Sequence, residues 1–429
     1  MARRRRCRAA ETAAAALLLL LTAACGSRLP ESDFEHRGTP TAQAPPLRVG
    51  IITSATSPVG GGAFTGPRDG AKAYFDRLNA RGGVAGRRVE VRECDDGGSG
   101  VGNNTCVHRL LEEDRVVALV ATTVLDYAGA PRVSHARVPD IGGQPIGPAY
   151  DTWPHLYSIY GSSAPRDGTV GWDGELYGGT EVYRYFKSEQ GARTAAVVSY
   201  NQAASAAYAR LVERGLRAEG YKVVTEQVDF ALPNFRAVAA DLKRRGADLV
   251  FDALDTHGNA RLCAAMDDVG ARVTAKVTNV QNWTSAVPDD YRDAPRCRNA
   301  LWATGKSRNH DDTSHPAVRE FRKATEDLRT HSQWQLEGWA AALWFTRAVR
   351  DCAAEGVTRA CVDDRIARTR DFTADGLLLP VSFAARAEPP ETSRACLSVA
   401  RWQDGEGWVT QGEMTENCFD DVPQLAYRP

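Results

Sequence analysis

The sequence predicts an α/β protein of mostly parallel strands, divided into more than one packed unit. From Leu47 onward, short apolar runs alternate with amphipathic stretches of helical period. At 429 residues the chain is too long for one hydrophobic core of ordinary size. Its composition, 43% hydrophobic and 25% charged, is that of a globular protein rather than a fibrous or membrane-embedded one. No fixed-length repeat emerges, which argues against a solenoid.

Residues 47–52 read as the first strand and residues 67–79 as the first helix. In that helix Ala71, Tyr74, Phe75 and Leu78 recur at i, i+3, i+4 and i+7; Pro67 suits its first turn and Gly82-Gly83 its stop. Further strands are expected at 88–92, 116–121, 138–141, 194–199, 247–253 and 273–279. Further helices are expected at 166–188, 205–219, 235–245, 257–269, 316–330 and 334–354. Residues 396–410 carry the period-two pattern of a terminal hairpin turning at Asp404-Gly405.

The amino terminus has a different character. Arg3, Arg4, Arg5, Arg6 and Arg8 precede an apolar run at 13–21, then small residues lead to Cys25, the layout of an export signal over residues 1–24. The run is roughly half the ~20 residues that a membrane-spanning helix needs. Leu21-Thr22-Ala23-Ala24-Cys25 resembles a bacterial lipobox, with Thr22 where Leu is commonest, so Cys25 is the expected acylation site. Residues 25–46, with Pro30, Pro40, Pro45 and Pro46 and almost no large apolar side chain, read as a disordered tether. The 53 Lys plus Arg against 54 Asp plus Glu leave a net charge of −1, which gives no long-range field for drawing in nucleic acid or an anionic membrane surface.

Of ten cysteines, Cys7 lies in the leader and Cys25 at its end, leaving eight. An even number in an exported chain implies disulfides. The eight fall as neighbours in sequence, so the expected bonds are Cys94 with Cys106, Cys263 with Cys297, Cys352 with Cys361 and Cys396 with Cys418. A zinc site is disfavoured: there is no Cys-x-x-Cys pair and no helical His-x-x-x-His. No metal and no cofactor is expected.

In an open parallel sheet, ligands gather beyond the carboxyl ends of the strands. That rule selects loops beginning at Thr53, Thr122, Gly142, Tyr200 and Asp255, and one after Asn279. Ser54 and Ser57 offer hydroxyls ahead of a helix N-terminus, and Thr122, Thr123 and Tyr127 repeat the arrangement; both loops suit a carboxylate, although Ser and Thr there also cap helices. No catalytic residues are assigned. There is no nucleophile elbow, and the adjacent acids Asp95-Asp96, Asp267-Asp268 and Asp363-Asp364 diverge on either a strand or a helix, as solvated or capping groups would.

Residues 48–96 resemble the opening of the branched-chain amino-acid binding family, the type I periplasmic solute-binding proteins of ABC importers. The resemblance rests on Val49-Gly50-Ile51, on Gly66 and Gly70, on the run from Leu78-Asn79 through Gly82-Gly83 to Gly86-Arg87, and on Asp95-Asp96. It implies two α/β lobes joined by three crossovers, with residues 47–159 and 305–371 in lobe 1 and residues 160–304 and 372–429 in lobe 2. It also implies that Thr122 and Thr123 hold a ligand carboxylate, with Gly143 and Gln144 as the next contact loop. The ammonium-pairing acid of the family falls near Gln281, one aromatic that covers the ligand falls close to Ala204, and a second falls at Asp255. These departures weigh against a branched-chain amino acid, because an amide does not neutralise a desolvated ammonium as a carboxylate does. Asp255 is the alternative ion-pair partner, and Tyr200 or Trp283 the alternative lid.

The resulting expectation is a monomeric, lipid-anchored protein on the outer face of the cytoplasmic membrane. It captures a small polar ligand for an ABC permease without changing it chemically. The alternative output is a sensing lipoprotein that reports to a membrane partner; an exported hydrolase is disfavoured by the missing motifs.

Overall fold

The apolar residues 47–53 form a strand buried along almost its whole length, Leu47–Thr53 (β1). It is flanked by parallel neighbours Val89–Asp95 (β2) and Ala118–Val120 (β3). The structure is a computed structural model that describes residues 44–429 apart from 59, 61, 144 and 145. The export signal, Cys25, most of the tether and Gln144 therefore lie outside the described residues. Asp140–Gly142 (β4) and Leu156–Ser158 (β5) complete a five-stranded sheet of order β2-β1-β3-β4-β5.

After β5 the chain leaves this sheet, forms Leu176–Gly179 (β6), and builds a second one. Thr194–Tyr200 (β7), Lys222–Val228 (β8), Leu249–Ala253 (β9), Ala275–Thr278 (β10) and Leu301–Gly305 (β11) are parallel. Late in the chain, Cys418–Tyr427 (β15) pairs antiparallel with Thr392–Cys396 (β12) on one side and β6 on the other, forming a small third sheet. Ser398–Gln403 (β13) and Gly407–Thr410 (β14) extend the second sheet as an antiparallel hairpin.

Helices cover both faces of each large sheet, as buried parallel strands require. In chain order they include Gly66–Ala80 (α1), Gly100–His108 (α2), Glu181–Ser188 (α3), Ala203–Ala218 (α4), Phe235–Arg245 (α5) and Thr256–Val269 (α6). Pro316–Ala324 (α7), Gln333–Asp351 (α8) and Arg359–Ala367 (α9) follow the second sheet in sequence, yet they pack on the first. Helix α8 begins with a capping box between Ser332 and Gln335. Its contact with α1 is close enough to need glycine. A Cβ on Gly70 would lie 1.8 Å from the Gln335 carbonyl oxygen, and one on Gly338 would lie 1.9 Å from that of Pro67.

The chain thus passes between the two large sheets three times, after β5, after β11 and before β12. The passes run side by side: Ser162 N donates to Ser382 O at 3.2 Å, Arg308 N to Leu377 O at 2.7 Å and Leu379 N to Lys306 O at 3.0 Å. The eight described cysteines form four disulfides, Cys94–Cys106, Cys263–Cys297, Cys352–Cys361 and Cys396–Cys418.

Two expected helices and one expected side chain differ from the sequence reading. The expected helix at 166–188 is helical only at Glu181–Ser188, because Gly168, Gly171 and Gly174 adopt φ of 101°, 49° and 84° and β6 intervenes. The helix expected at 316–330 ends at Ala324, where the Thr325 hydroxyl donates to Phe321 O at 3.0 Å. Asp96, read as solvated or capping, is 3% exposed and buried among polar partners.

Gly70→Ala and Gly338→Ala should each force α1 and α8 apart and destabilise the fold by roughly 1–3 kcal/mol, as overpacking does. Gly62→Ala, whose Cβ meets nothing within 4 Å, should be nearly neutral. Thermal unfolding of the three variants checks the ordering.

Candidate functional site

The loops after β1, β2 and β3 are fastened to one another by one buried carboxylate. Ser54 Oγ donates to Asp96 Oδ1 at 2.7 Å and accepts from Leu125 N at 3.0 Å. Gly98 N donates to the same oxygen at 2.8 Å, and Asn103 Nδ2 donates to Oδ2 at 3.0 Å. Thr53 bridges Thr123 in parallel, with Ser54 N donating to Thr123 O at 3.1 Å. A second buried carboxylate, Asp140 after the β3–β4 connection, accepts from Tyr150 at 2.9 Å and from Tyr127. Burial pushes Asp140 up to about 6, against the pull of the Tyr127, Thr122 and Tyr150 hydroxyls.

The second sheet has a matching device. Lys276 Nζ donates to Asp252 Oδ2 at 2.7 Å and also to Asn259 Oδ1, while Asn259 Nδ2 donates to Asp252 Oδ1 at 2.7 Å. All three side chains are buried. Directly beyond them Asp255 caps α6, accepting from Gly258 N at 2.6 Å and from the Tyr200 hydroxyl at 3.1 Å. Burial first, and the Asp255 carboxylate second, raise the Tyr200 phenol and keep it a donor to Asp255.

Between the loop after β1 and the loop after β10 lies a cavity of about 310 Å³. Gly62, Ala63, Thr65, Gly66 and Asp69 line it from the first sheet's side, and Val280, Gln281 and Thr284 from the second's. The segment leading into α8 closes it with Arg329, Thr330, Ser332, Trp334 and Gln335. Trp334 is 3% exposed, its ring lies 5.6 Å from that of Phe64, and its indole N–H has no hydrogen-bond partner. The cavity therefore presents the Arg329 guanidinium, the Gln281 amide and the Asp69 carboxylate, which Arg68 pairs with at 2.7 Å.

Of the residues expected at the site, Gln281 lines this cavity. Tyr200 and Asp255 form one hydrogen-bonded pair at the ends of β7 and β9. Several others are turned away, and this corrects the reading of their side chains. Ser54 serves Asp96, the Thr123 hydroxyl donates to Ala121 O at 3.2 Å, and Tyr127 serves Asp140. Thr122 is 1% exposed and faces that same carboxylate. Trp283 is no lid: it is fully buried, donates to Asn309 Oδ1 at 3.2 Å and packs 6.1 Å from Trp408 in the core. Ser57 is buried to 9% exposure beside Gly98. Gly143 lies against the first turn of α1, where a Cβ would meet Pro67 at 2.7 Å. Sequence reasoning missed Asp69, Arg329 and Trp334; the capping box at Ser332 is the local signal that a helix start, with its free N–H groups, lies there.

Two opposed parallel sheets, linked by three passes of chain and flanking a polar cavity at their strand ends, define a two-lobed binding protein of the type I architecture. The chain belongs to the periplasmic binding protein family, whose model matches residues 46–406. A leucine binding protein from Thermotoga maritima is 13% identical, with 85% of this chain and 98% of that one covered at a TM-score of 0.64. A branched-chain amino acid transporter substrate binding protein from Streptococcus pneumoniae, in complex with isoleucine, is 16% identical, with 86% and 100% covered at 0.63. A solute binding protein of an ABC transporter from Rhodopseudomonas palustris, in complex with 3,4-dihydroxybenzoic acid, is 15% identical, with 88% and 98% covered at 0.63. At these identities the likeness is one of fold. A search of curated proteins returned no match. Among the described residues, no helix is long and apolar enough to cross a membrane, and no group of three or more His, Cys, Asp or Glu side chains is placed to hold a metal.

Behind the cavity, one buried acid on α8 ties two of the three passes together. Glu337 Oε1 accepts from Tyr160 Oη at 2.8 Å and from Ser307 Oγ at 2.6 Å, while Oε2 has no hydrogen-bond partner. Gln333 Nε2 backs Ser307 at 2.7 Å. Burial pushes Glu337 up to about 8, and the two hydroxyls only partly offset it. The folded state therefore keeps a proton that the unfolded chain releases near 4.5. This group's contribution is fully present below that value, and stability falls as pH rises toward 8 by roughly 1.4 kcal/mol per unit. Glu337→Gln should remove that decline. Denaturant unfolding of both proteins between pH 5 and 8.5 should show their stabilities diverging in favour of the variant as pH rises.

Proposed function

We propose that this protein captures a small polar, amino-acid-like metabolite between its two lobes, outside the cytoplasmic membrane, and delivers it to an ABC importer without chemical change. The observation that carries the reading is the cavity between the loops after β1 and β10, one from each large sheet. Arg329 and Asp69 on its walls, the latter paired with Arg68, complement a zwitterion, and Gln281 adds an amide. The Tyr200–Asp255 pair, with Gly143 and the backbone of residues 122–123, forms the wider rim in this reading. Solute-binding proteins among its structural neighbours have been crystallised with isoleucine and with 3,4-dihydroxybenzoic acid, so the fold accommodates both kinds of small anion-bearing ligand.

In this account lobe 1 comprises residues 47–159 and 305–371, and lobe 2 comprises residues 160–304 and 372–429. Closure about the three passes encloses the ligand, and the closed form is what the permease engages. The leader directs export and Cys25 carries the lipid that holds a monomer at the outer face of the membrane. The family is one of binding rather than catalysis, and the polar groups at the cavity are arranged for hydrogen bonding to a solute.

Native mass spectrometry of the purified protein should reveal a co-purified small molecule, and calorimetry against a panel of amino acids and aromatic acids should identify it. Gln281→Ala, which removes the amide from the cavity wall, should then weaken binding about 5- to 10-fold. A chain that gives no binding heat with any member, or that turns one over, contradicts the proposal.

A further inference from the structure

We propose that the base of the first sheet's body, at the end opposite the cavity, is a docking surface for the phosphate headgroups of anionic phospholipid. Helices α1 and α8 start together at the cavity and run side by side, so their carboxyl ends finish together at the amino ends of the strands. A second cavity, of about 250 Å³, opens between those ends. Its wall holds Tyr74 and Trp339, edge to face with ring centres 5.0 Å apart. Around it stand Arg77, Arg81, Arg347 and Arg350.

Four guanidinium groups here meet two carboxylates. Arg77 pairs with Glu320 at 3.1 Å and Arg347 pairs with Asp375. Arg81 and Arg350 are exposed and have no carboxylate within ion-pair distance among the described residues. Basic residues at helix ends ordinarily balance the macrodipole, but two helix ends present only about half a negative charge each. The excess therefore outlasts that role and leaves this face locally positive on a chain that is nearly neutral overall. Guanidinium groups suit phosphate oxygens because they donate in a planar fork.

The position of the cleft argues for a membrane rather than a free anion. Gly83 forms part of its edge, and the turn from Val84 to Arg87 leads away from it. Arg87 donates to the carbonyl oxygens of Pro45 at 2.6 Å and Pro46 at 3.3 Å, at the point where the amino-terminal segment joins β1. If Cys25 is acylated, as the proposed function holds, only 20 residues of sequence separate the lipid from Pro45. The basic base is then the part of the fold held nearest the bilayer, while the cavity at the strand carboxyl ends faces away from that contact.

The test uses residues 44–429, the compact unit that contains all the described cores and disulfides and lacks both leader and Cys25. Sedimentation with vesicles of phosphatidylglycerol and phosphatidylcholine at low salt should show binding that pure phosphatidylcholine does not. An Arg81→Gln, Arg350→Gln double variant, checked to unfold at the parent's temperature, should bind the anionic vesicles roughly 30-fold less, about 1 kcal/mol per arginine. Equal binding to both vesicles, undiminished binding by the variant, or full displacement by millimolar inorganic phosphate would each overturn the assignment, the last in favour of a soluble anion. Because Cys25 is absent from this unit, the vesicle result is independent of acylation, which the mass of the membrane-extracted amino-terminal peptide tests separately.

Discussion

The close contact of α1 with α8 is the constraint from which the architecture follows. One helix comes from the first βαβ unit, and the other comes after the five parallel strands of the second sheet, β7 to β11. Because Gly70 and Gly338 allow backbone to touch backbone, the returning chain is locked under β1, β3 and β4, where Leu336, Ala340 and Phe345 join Val49, Val120 and Ile141 in one core. A chain that must return to its first sheet has to cross twice, and its final strands, which pair with β11 and β6, require a third crossing. The three passes are thus a consequence of helix packing, and the Glu337 carboxyl that joins two of them rides on the same helix.

The two sheets solve the problem of holding strand-end loops in the same way. Asp96 in one and Asp252 in the other are buried carboxylates whose oxygens are occupied by side chains and backbone N–H groups from neighbouring elements. A fully partnered polar network in a low-dielectric interior rigidifies what it touches, whereas breaking one partner leaves an uncompensated charge. Rims held in this way suit the proposed capture of a solute by closure about the three passes.

The parallel sheets were legible because β1, β7 and β9 are largely apolar runs, and α5 was read at its full length from its helical period. Cysteines adjacent in sequence bond to one another because each pair joins neighbouring elements. The third sheet was hidden: β6 contains Gly178-Gly179, and β12 and β15 are partly exposed with no clean alternation. At the site, the strand-end rule found the loops but could not tell which way their side chains turn. Trp283 follows β10 as a lid would, yet its fate is decided by Trp408 and Asn309, residues far away in sequence. The hydroxyls of Ser54 and Tyr127 were likewise claimed by carboxylates whose proximity only the fold creates. Asp69 and Trp334 reach the cavity for the same reason, one from each of the two helices that meet there.

The most direct test of a hinged trap is its size in solution. Small-angle X-ray scattering of the protein, alone and saturated with the ligand identified by calorimetry, should show a smaller radius of gyration in the liganded state, with the scattering of a two-lobed body in both. An unchanged radius at saturation would mean that binding does not draw the lobes together, and the account of capture by closure would be wrong.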